Sequence, residues 1–436
     1  MPLTQAGMLV TPNSRLIVDQ SKMDLADLRI NADRFRRDFD ELSRIGSTAD
    51  GGVNRPALSP AHLEARAWFR KRCARAGFEF SVDGAGNHSA RLNCAPESRR
   101  ILMLGSHLDS VPNGGRFDGA LGVAAALEVL ETVREAGLKL DVNLEAIDFT
   151  DEEGTHISLL GSQALAGRLT LETLHSPRGG REALEAGMAR TELTYESILS
   201  ERRDPANIVG YLEMHIEQGP KLAQLRRQIG IVQGIVGVYS YWLTFKGQAS
   251  HAGSTPMVWR KDASLGASAF TLAARELVMK DFPNGVVNVG IMQFKPGVFN
   301  IVPGGVDAAL EFREIDAGRL EELRTRLLAE AKADAERFGL TFSYQPRGHV
   351  PPALMDEGVR TALHDAAVAL GLSDIDMVSG AFHDALSMAT ICPSGIFFVP
   401  SQANGTSHDP LEFTEWDDCV HGANVLLQTI LKIDKE

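Results

Sequence analysis

Cysteine is scarce: Cys73, Cys94, Cys392 and Cys419 are far apart and form no C-x-x-C pair. That spacing argues against a disulfide framework and against a thiolate zinc site, so reduced, mostly buried thiols are expected. Long apolar runs are missing too. No stretch approaches the roughly 18 consecutive apolar residues of a membrane helix, and residues 1–15 lack a basic start followed by an apolar run. A cytoplasmic protein without membrane contact is expected. Basic charge is in deficit, with 44 Lys and Arg against 57 Asp and Glu, a formal charge of −13. Nucleic acid and anionic lipid are therefore disfavoured as partners. Aromatics are few, at 6%, but 44% hydrophobic and 23% charged residues are the balance of a soluble globular chain, not a disordered or fibrous one. At roughly 100–200 residues per domain, 436 residues predict two or three domains and exclude a small binding module.

The first half reads as α/β. Apolar residues at 3–4 spacing in NADRFRRDFDELSRIG and SPAHLEARAWFRKRCARAG, each ended by glycine, predict two helices before the sheet. Apolar strands follow at 101–107 and 142–150 with the helix ALGVAAALEVLETVREAG between them, a succession that predicts parallel pairing. From Ile231 the texture changes to period-2 strands and two helices, an α+β insert; after Tyr344 it returns to α/β, with GIFFVPS as a strand and CVHGANVLLQTILKI as a closing helix. The expected architecture is a discontinuous α/β domain, 1–230 and 346–436, with a mixed, mostly parallel sheet flanked by helices and an inserted α+β domain at 231–345. The Gly, Pro and Arg rich stretch 176–185 reads as a surface loop.

The residues that carry chemistry follow the strands, where α/β sheets collect ligands. His107 and Asp109 are two apart at a strand end, so in extended geometry they share a face and the carboxylate can orient the imidazole. Asp118 follows in the Gly-rich NGGRFDGALG, and Asp151, Glu152 and Glu153 crowd the next strand mouth. Three acids there cost electrostatic energy unless cations offset it. The plain alternative for TDEEG is a solvated loop capping a helix, and for GSHLDS a turn with a satisfied histidine. With His215 in LEMHIEQGP and His408 in GTSHDP, the set offers mixed nitrogen and oxygen ligands that suit zinc, manganese, cobalt or nickel without selecting among them. In a two-metal site one aspartate can bridge both ions while one glutamate stays free as general base towards water.

In this order and spacing, GSHLDSVPNGGRFDGALGV, DFTDEEG, HIEQGP, GQASHAGSTPM, FNIVPGGVDAALEFR, SGAFHDA and FVPSQANGTSHDP resemble the M20 metallopeptidase-like amidohydrolases, over nearly the whole chain after about residue 40. HIEQGP resembles the carbamoyl-amide branch, with its N-carbamoyl-L-amino-acid hydrolases, β-ureidopropionases and allantoate amidohydrolases. The resemblance implies that His107 and His215 ligate one divalent metal ion, that Glu153 and His408 ligate a second, and that Asp118 bridges them. It implies Glu152 as general base and Asp109 as the orienter of His107. In the insert it implies His251 for the oxyanion and Asn300 and Arg313 for a substrate carboxylate, with Gln218 holding the ureido group. It also implies a homodimer in which the insert pairs two subunits and its histidine and asparagine can complete the neighbour's site.

Four positions depart from the usual pattern: His156 and Ile157 stand where many relatives carry Arg and Phe, Phe382 where a glycine is common, and Asp409 where SHNP has Asn. The expected activity is hydrolysis of an N-carbamoyl amino acid to amino acid, ammonia and carbon dioxide, with a small carboxylate-bearing ureido substrate. Allantoate and N-carbamoyl-β-alanine are the nearest rival substrates, and an aminoacylase or dipeptidase is weakened by HIEQGP. A binding protein that lost its chemistry would not need Glu152. A nucleotide-binding dehydrogenase would want GxGxxG directly after a strand, but here the glycines are interleaved with Asp118.

Overall fold

The computed structural model describes residues 25–434; residues 1–15, read above for a leader, lie outside them. Along the chain the strands are β1 (Glu79–Val82), β2 (His88–Leu92), β3 (Ile101–His107), β4 (Asn143–Phe149), β5 (Ile208–Ile216) and β6 (Ile229–Ile235). Then come β7 (Gly237–Lys246), β8 (Ser250–His251), β9 (Val286–Lys295), β10 (Ile301–Val302), β11 (Gly305–Glu314) and β12 (Thr341–Val350). The last three are β13 (Ala353–Leu354), β14 (Asp374–Ser379) and β15 (Ser394–Val399).

Nine strands make one sheet in the order β1-β2-β4-β3-β5-β15-β6-β13, with β14 also on β6. The centre, β4-β3-β5-β15, is parallel, as its apolar runs predict for strands buried on both faces. Towards the edges β1/β2, β2/β4, β15/β6 and β6/β13 are antiparallel and β14/β6 is parallel, which makes the sheet mixed, as expected. Alternate side chains go to opposite faces. Leu102, Leu104, Leu144 and Leu212 pack under helices including Ala120–Glu135 and Trp416–Ile433, whereas Met103, Ile147 and Tyr211 face a second apolar cluster. The helix Pro60–Ala76 starts with Ser59 accepting from His62 N and Pro60 at the first turn, and stops at Gly77 in the left-handed region.

A second sheet, β12-β7-β11-β9, is antiparallel throughout. It buries Leu243, Phe245, Val306, Leu310 and Phe312 against the helices Ala263–Asp281 and Ala317–Arg337. The texture change expected at Ile231 falls inside β6, whose partners β13, β14 and β15 belong to the large sheet. The chain crosses to the second sheet at Gly237, and β12 runs on to Val350. Two apolar strands joined by a single residue offer no turn signal to mark that crossing. The stretch 176–185 is only partly loop: a helix, Arg181–Arg190, begins within it and packs Leu184 and Met188 against Leu58 and Leu160. Among the described residues no helix is long and apolar enough to cross a membrane.

Candidate metal centre

Histidine and carboxylate side chains converge at the carboxyl ends of the parallel strands. His107 is the last residue of β3, Glu152 and Glu153 follow β4, and His215 is next to last in β5, in register with Phe398 of β15. Asp118 sits just before the helix Ala120–Glu135, and His408 lies in the loop after β15 with a φ of 56°.

The structure forms two groups of ligand atoms, His107/Asp118/His215 and Asp118/Glu153/His408, each within 4.8 Å. Asp118 Oδ1 lies 3.5 Å from His107 Nε2 and 3.1 Å from His215 Nε2; its Oδ2 lies 3.3 Å from His408 Nε2. His408 Nε2 is 3.4 Å from Glu153 Oε2. Glu152 Oε2 stands 3.5 Å from His107 Nε2. Asp118, Glu152, Glu153, His215 and His408 line a cleft of about 240 Å³ that also takes in Gln218, Arg313, Phe382 and His383.

The donor set fits a divalent cation. The Nδ1 atoms of His107 and His215 meet main-chain carbonyls, Asp109 O at 3.0 Å and Ile216 O at 2.9 Å, which turns each Nε2 towards Asp118, where a cation can replace its proton. Glu153 Oε1 is buried and has no hydrogen-bond partner. Burial followed by the Asp118 charge lifts Glu153 to about 7, and burial with the Glu153 charge pushes Glu152 well above the usual carboxylate range. Burial opposes the charge on Asp118 as well, but hydrogen bonds from His107, His215 and His408 hold it well below that range. Burial also works against a charged His107, and Glu152 and Asp118 outweigh it and raise its pKa. Acids this deep are costly without compensating positive charge, which a divalent ion supplies.

Two glycines of NGGRFDGALG make the convergence possible. A Cβ on Gly119 would stand 2.4 Å from the His107 ring, and its φ of 61° is one that L side chains rarely adopt. A Cβ on Gly115 would stand 2.0 Å from the Glu412 carboxyl group. Glu412 uses that space: its Oε1 accepts from Phe117 N at 2.9 Å and Asp118 N at 3.1 Å, and its Oε2 from the Ser407 hydroxyl at 2.7 Å. It thereby ties the loop of Asp118 to the loop of His408. Behind β3, the buried pair Arg66 and Asp148 fixes the next residue, with Asp148 Oδ1 accepting from Leu108 N at 2.8 Å.

Of the residues singled out in the sequence, His107, Asp118, Glu152, Glu153, His215, His408, Gln218 and Arg313 come together around the cleft. Gln218 donates to Asp118 Oδ2 at 2.8 Å. Arg313 reaches over from β11, donating to Gly380 O and Glu311. His251 and Asn300 do not join them: His251 is exposed on β8, its Nδ1 accepting from Gly253 N and Ser254 N, and Asn300 is exposed beside β10. Asp109 is buried next to His107 but in another posture than expected. Its carboxylate accepts from Glu152 N and Glu153 N and stays 3.7 Å from His107 Nδ1, which meets the Asp109 carbonyl instead. β3 ends at His107, so the two-residue periodicity that would align the pair has already stopped. His156 and Ile157 donate their main-chain N–H groups to Asp151 and lie off the cleft wall, whereas Phe382 is on it.

Sequence reasoning missed Glu412 and Ser407, which act across almost 300 residues of chain, and also His383. It could have found Asp148 and Arg66: a lone acid in the apolar run VNLEAIDFT and an arginine on the apolar face of a helix both ask for a buried partner.

Comparison with known proteins gives the same outline. The family described as Peptidase family M20/M25/M40 matches residues 103–432. An N-carbamoyl-L-amino acid amidohydrolase of Geobacillus stearothermophilus is 33% identical over 406 residues, 93% of this chain and 99% of the relative. An allantoate amidohydrolase of Bacillus subtilis is 30% identical over 399 residues, 90% of this chain and 95% of the relative. A crystal structure of an amidase of the hydantoinase/carbamoylase family from Burkholderia multivorans superposes with a TM-score of 0.85 at 32% identity, over 94% of this chain and 99% of that one.

Proposed function

The chain belongs to peptidase family M20/M25/M40, and from that membership we propose that it hydrolyses a linear ureido amide, N-carbamoyl amino acid plus water giving amino acid, ammonia and carbon dioxide. The observation that carries the reading is the pair of ligand groups sharing Asp118, with Glu152 beside them in a cleft that also holds Gln218 and Arg313. In this reading His107 and His215 hold one divalent ion, Glu153 and His408 a second, and Asp118 bridges. When bound, the ions supply Lewis acidity towards the ureido carbonyl and acidify the attacking water. Zinc, manganese, cobalt and nickel all suit the donors.

Glu152 takes the proton of the attacking water and returns it to the departing nitrogen. Beside the positive charge of bound ions the Glu152 carboxylate stays ionised and so is able to accept that proton. Gln218 presents an amide to the ureido group, and its Oε1 is buried without a partner. Arg313 offers a planar fork to the substrate carboxylate, once its bond to Glu311 is exchanged. The relatives support allantoate as the second candidate substrate.

The second sheet and its helices pair two copies in this reading. β9 is an edge strand, and Ile291 and Phe294 on it, with Leu272 and Met279 on the adjoining helix, are exposed apolar side chains. A second copy covers them and receives His251 and Asn300. The four cysteines are unpaired thiols, which supports a cytoplasmic setting.

The test is ammonia release by protein stripped of metal and reloaded separately with the four ions, against N-carbamoyl-L-amino acids, N-carbamoyl-β-alanine, allantoate and N-acetyl controls. Metal-dependent ammonia release from a ureido substrate is expected, with no acetate formed from the acetyl compounds; acetate formed from the acetyl compounds, with no ammonia from any ureido substrate, refutes the reading. Glu152→Gln should keep its metal content and lose at least a hundredfold in kcat; near-normal turnover removes Glu152 as the base.

A further inference from the structure

A second cavity, of about 320 Å³, lies between the helix Pro60–Ala76, the β1–β2 hairpin and the end of the helix Arg181–Arg190. Its wall shares no residue with the metal cleft. Every titratable group on that wall is a base, Arg66, Arg70, Arg190 and His88, in a chain whose formal charge is −13. Clustered guanidiniums repel one another unless an anion offsets them.

Arg70 and Arg190 are exposed and have no carboxylate partner among the described residues, and the buried Arg66 is only partly satisfied by its pair with Asp148. Arg66 is only 2% exposed, and its Nη1 has no hydrogen-bond partner, although Nε serves Asp148 and Nη2 serves Thr150. A buried guanidinium nitrogen left unpaired carries a full desolvation cost. The Arg70 guanidinium rests 5.5 Å from the Phe80 ring centroid, and Arg190 Nη1 donates to Leu58 O; among the described residues neither forms an ion pair with a carboxylate. His88, half-buried beside Arg66 and Arg70, has its pKa held down to about 3, by its partial burial and then by the Arg66 charge. Phe80 and Val82, the latter 50% exposed, add an apolar floor.

We propose that this cavity binds a small organic anion, its carboxylate, sulfonate or phosphate head against Arg66, Arg70 and Arg190 and its apolar body against Phe80 and Val82. A planar guanidinium matches such oxygens in pairs, and the apolar floor separates an organic anion from a bare inorganic one. The site stands apart from the reaction proposed above and does not depend on it.

The test is calorimetric titration of the metal-loaded protein with benzenesulfonate and with sulfate, anions of low affinity for divalent metals, alongside the NMR signal of the His88 ring. Saturable benzenesulfonate binding is expected, at least tenfold tighter than sulfate. It should shift the His88 resonance and weaken at least tenfold in Arg70→Ala/Arg190→Ala, whose melting temperature stays within a few degrees of the parent's. Absence of saturable binding, or binding unchanged in the double variant, overturns the site. Equal affinity for the two anions overturns the assignment to an organic ligand.

Discussion

Replacing Gly119 by alanine tests whether the metal centre depends on a missing side chain. The new Cβ would meet the His107 ring at 2.4 Å, about 1 Å inside ordinary contact, and His107 is buried and cannot swing aside. Forcing a methyl group into a filled site costs about 1–3 kcal/mol, and a non-glycine residue at positive φ costs about 1–2 kcal/mol more. The sum is roughly 2–5 kcal/mol of folding stability. If His107 yields instead of the backbone, the same energy appears as weaker metal binding, tenfold for each 1.4 kcal/mol. Gly371 provides the control. Its φ is 70° and nothing lies within 4 Å of its added Cβ, so Gly371→Ala carries the backbone strain without the clash and should cost only about 1–2 kcal/mol. Urea unfolding followed by circular dichroism gives the stabilities, and competition with a chromogenic chelator gives the metal affinities. Equal costs for the two variants, with metal affinity unchanged, would refute the argument that His107 occupies the space of a Gly119 side chain.

Three other perturbations reach the same framework from different sides. Glu412→Ala removes the acceptor of Phe117 N and Asp118 N and should lower metal affinity by about ten- to a hundredfold; unchanged affinity in chelator competition would clear Glu412 of a positioning role. Arg66→Met leaves Asp148 buried without its cation and should cost about 3–5 kcal/mol, with much of the loss restored in Arg66→Met/Asp148→Asn; purely additive costs would deny the coupling. His88 stays neutral in the folded chain down to about pH 3, whereas the unfolded imidazole titrates near 6.5. Its contribution is therefore intact above pH 6.5 and declines as the pH falls below it, by about 1.4 kcal/mol between pH 7.5 and 5.5. His88→Gln should lose that much less stability over the same interval in urea titrations, and an equal loss would place the imidazole in solvent.

What could be read from the sequence follows from how far each contact reaches along the chain. The ends of β3 and β4 are visible because apolar runs stop abruptly at His107 and before Asp151, and a strand mouth crowded with acids asks for cations by electrostatics alone. The posture of Asp109 was not visible, because strand periodicity holds only while the strand does. The crossing from β6 to β7 was hidden for the opposite reason: two strands of different sheets follow each other with no break in apolar texture. Glu412 gave no local sign, since an acid in a loop is ordinary until its contacts are known. The glycines between Asn113 and Gly122 were visible, and their interleaving with Asp118 spoke against a nucleotide-binding loop without saying what they serve instead. In a phosphate cradle, glycine lets the backbone approach a ligand. Here the spaces at Gly115 and Gly119 are filled by the carboxyl of Glu412 and the ring of His107. The loop therefore draws side chains in around Asp118, the use to which these two glycines are put.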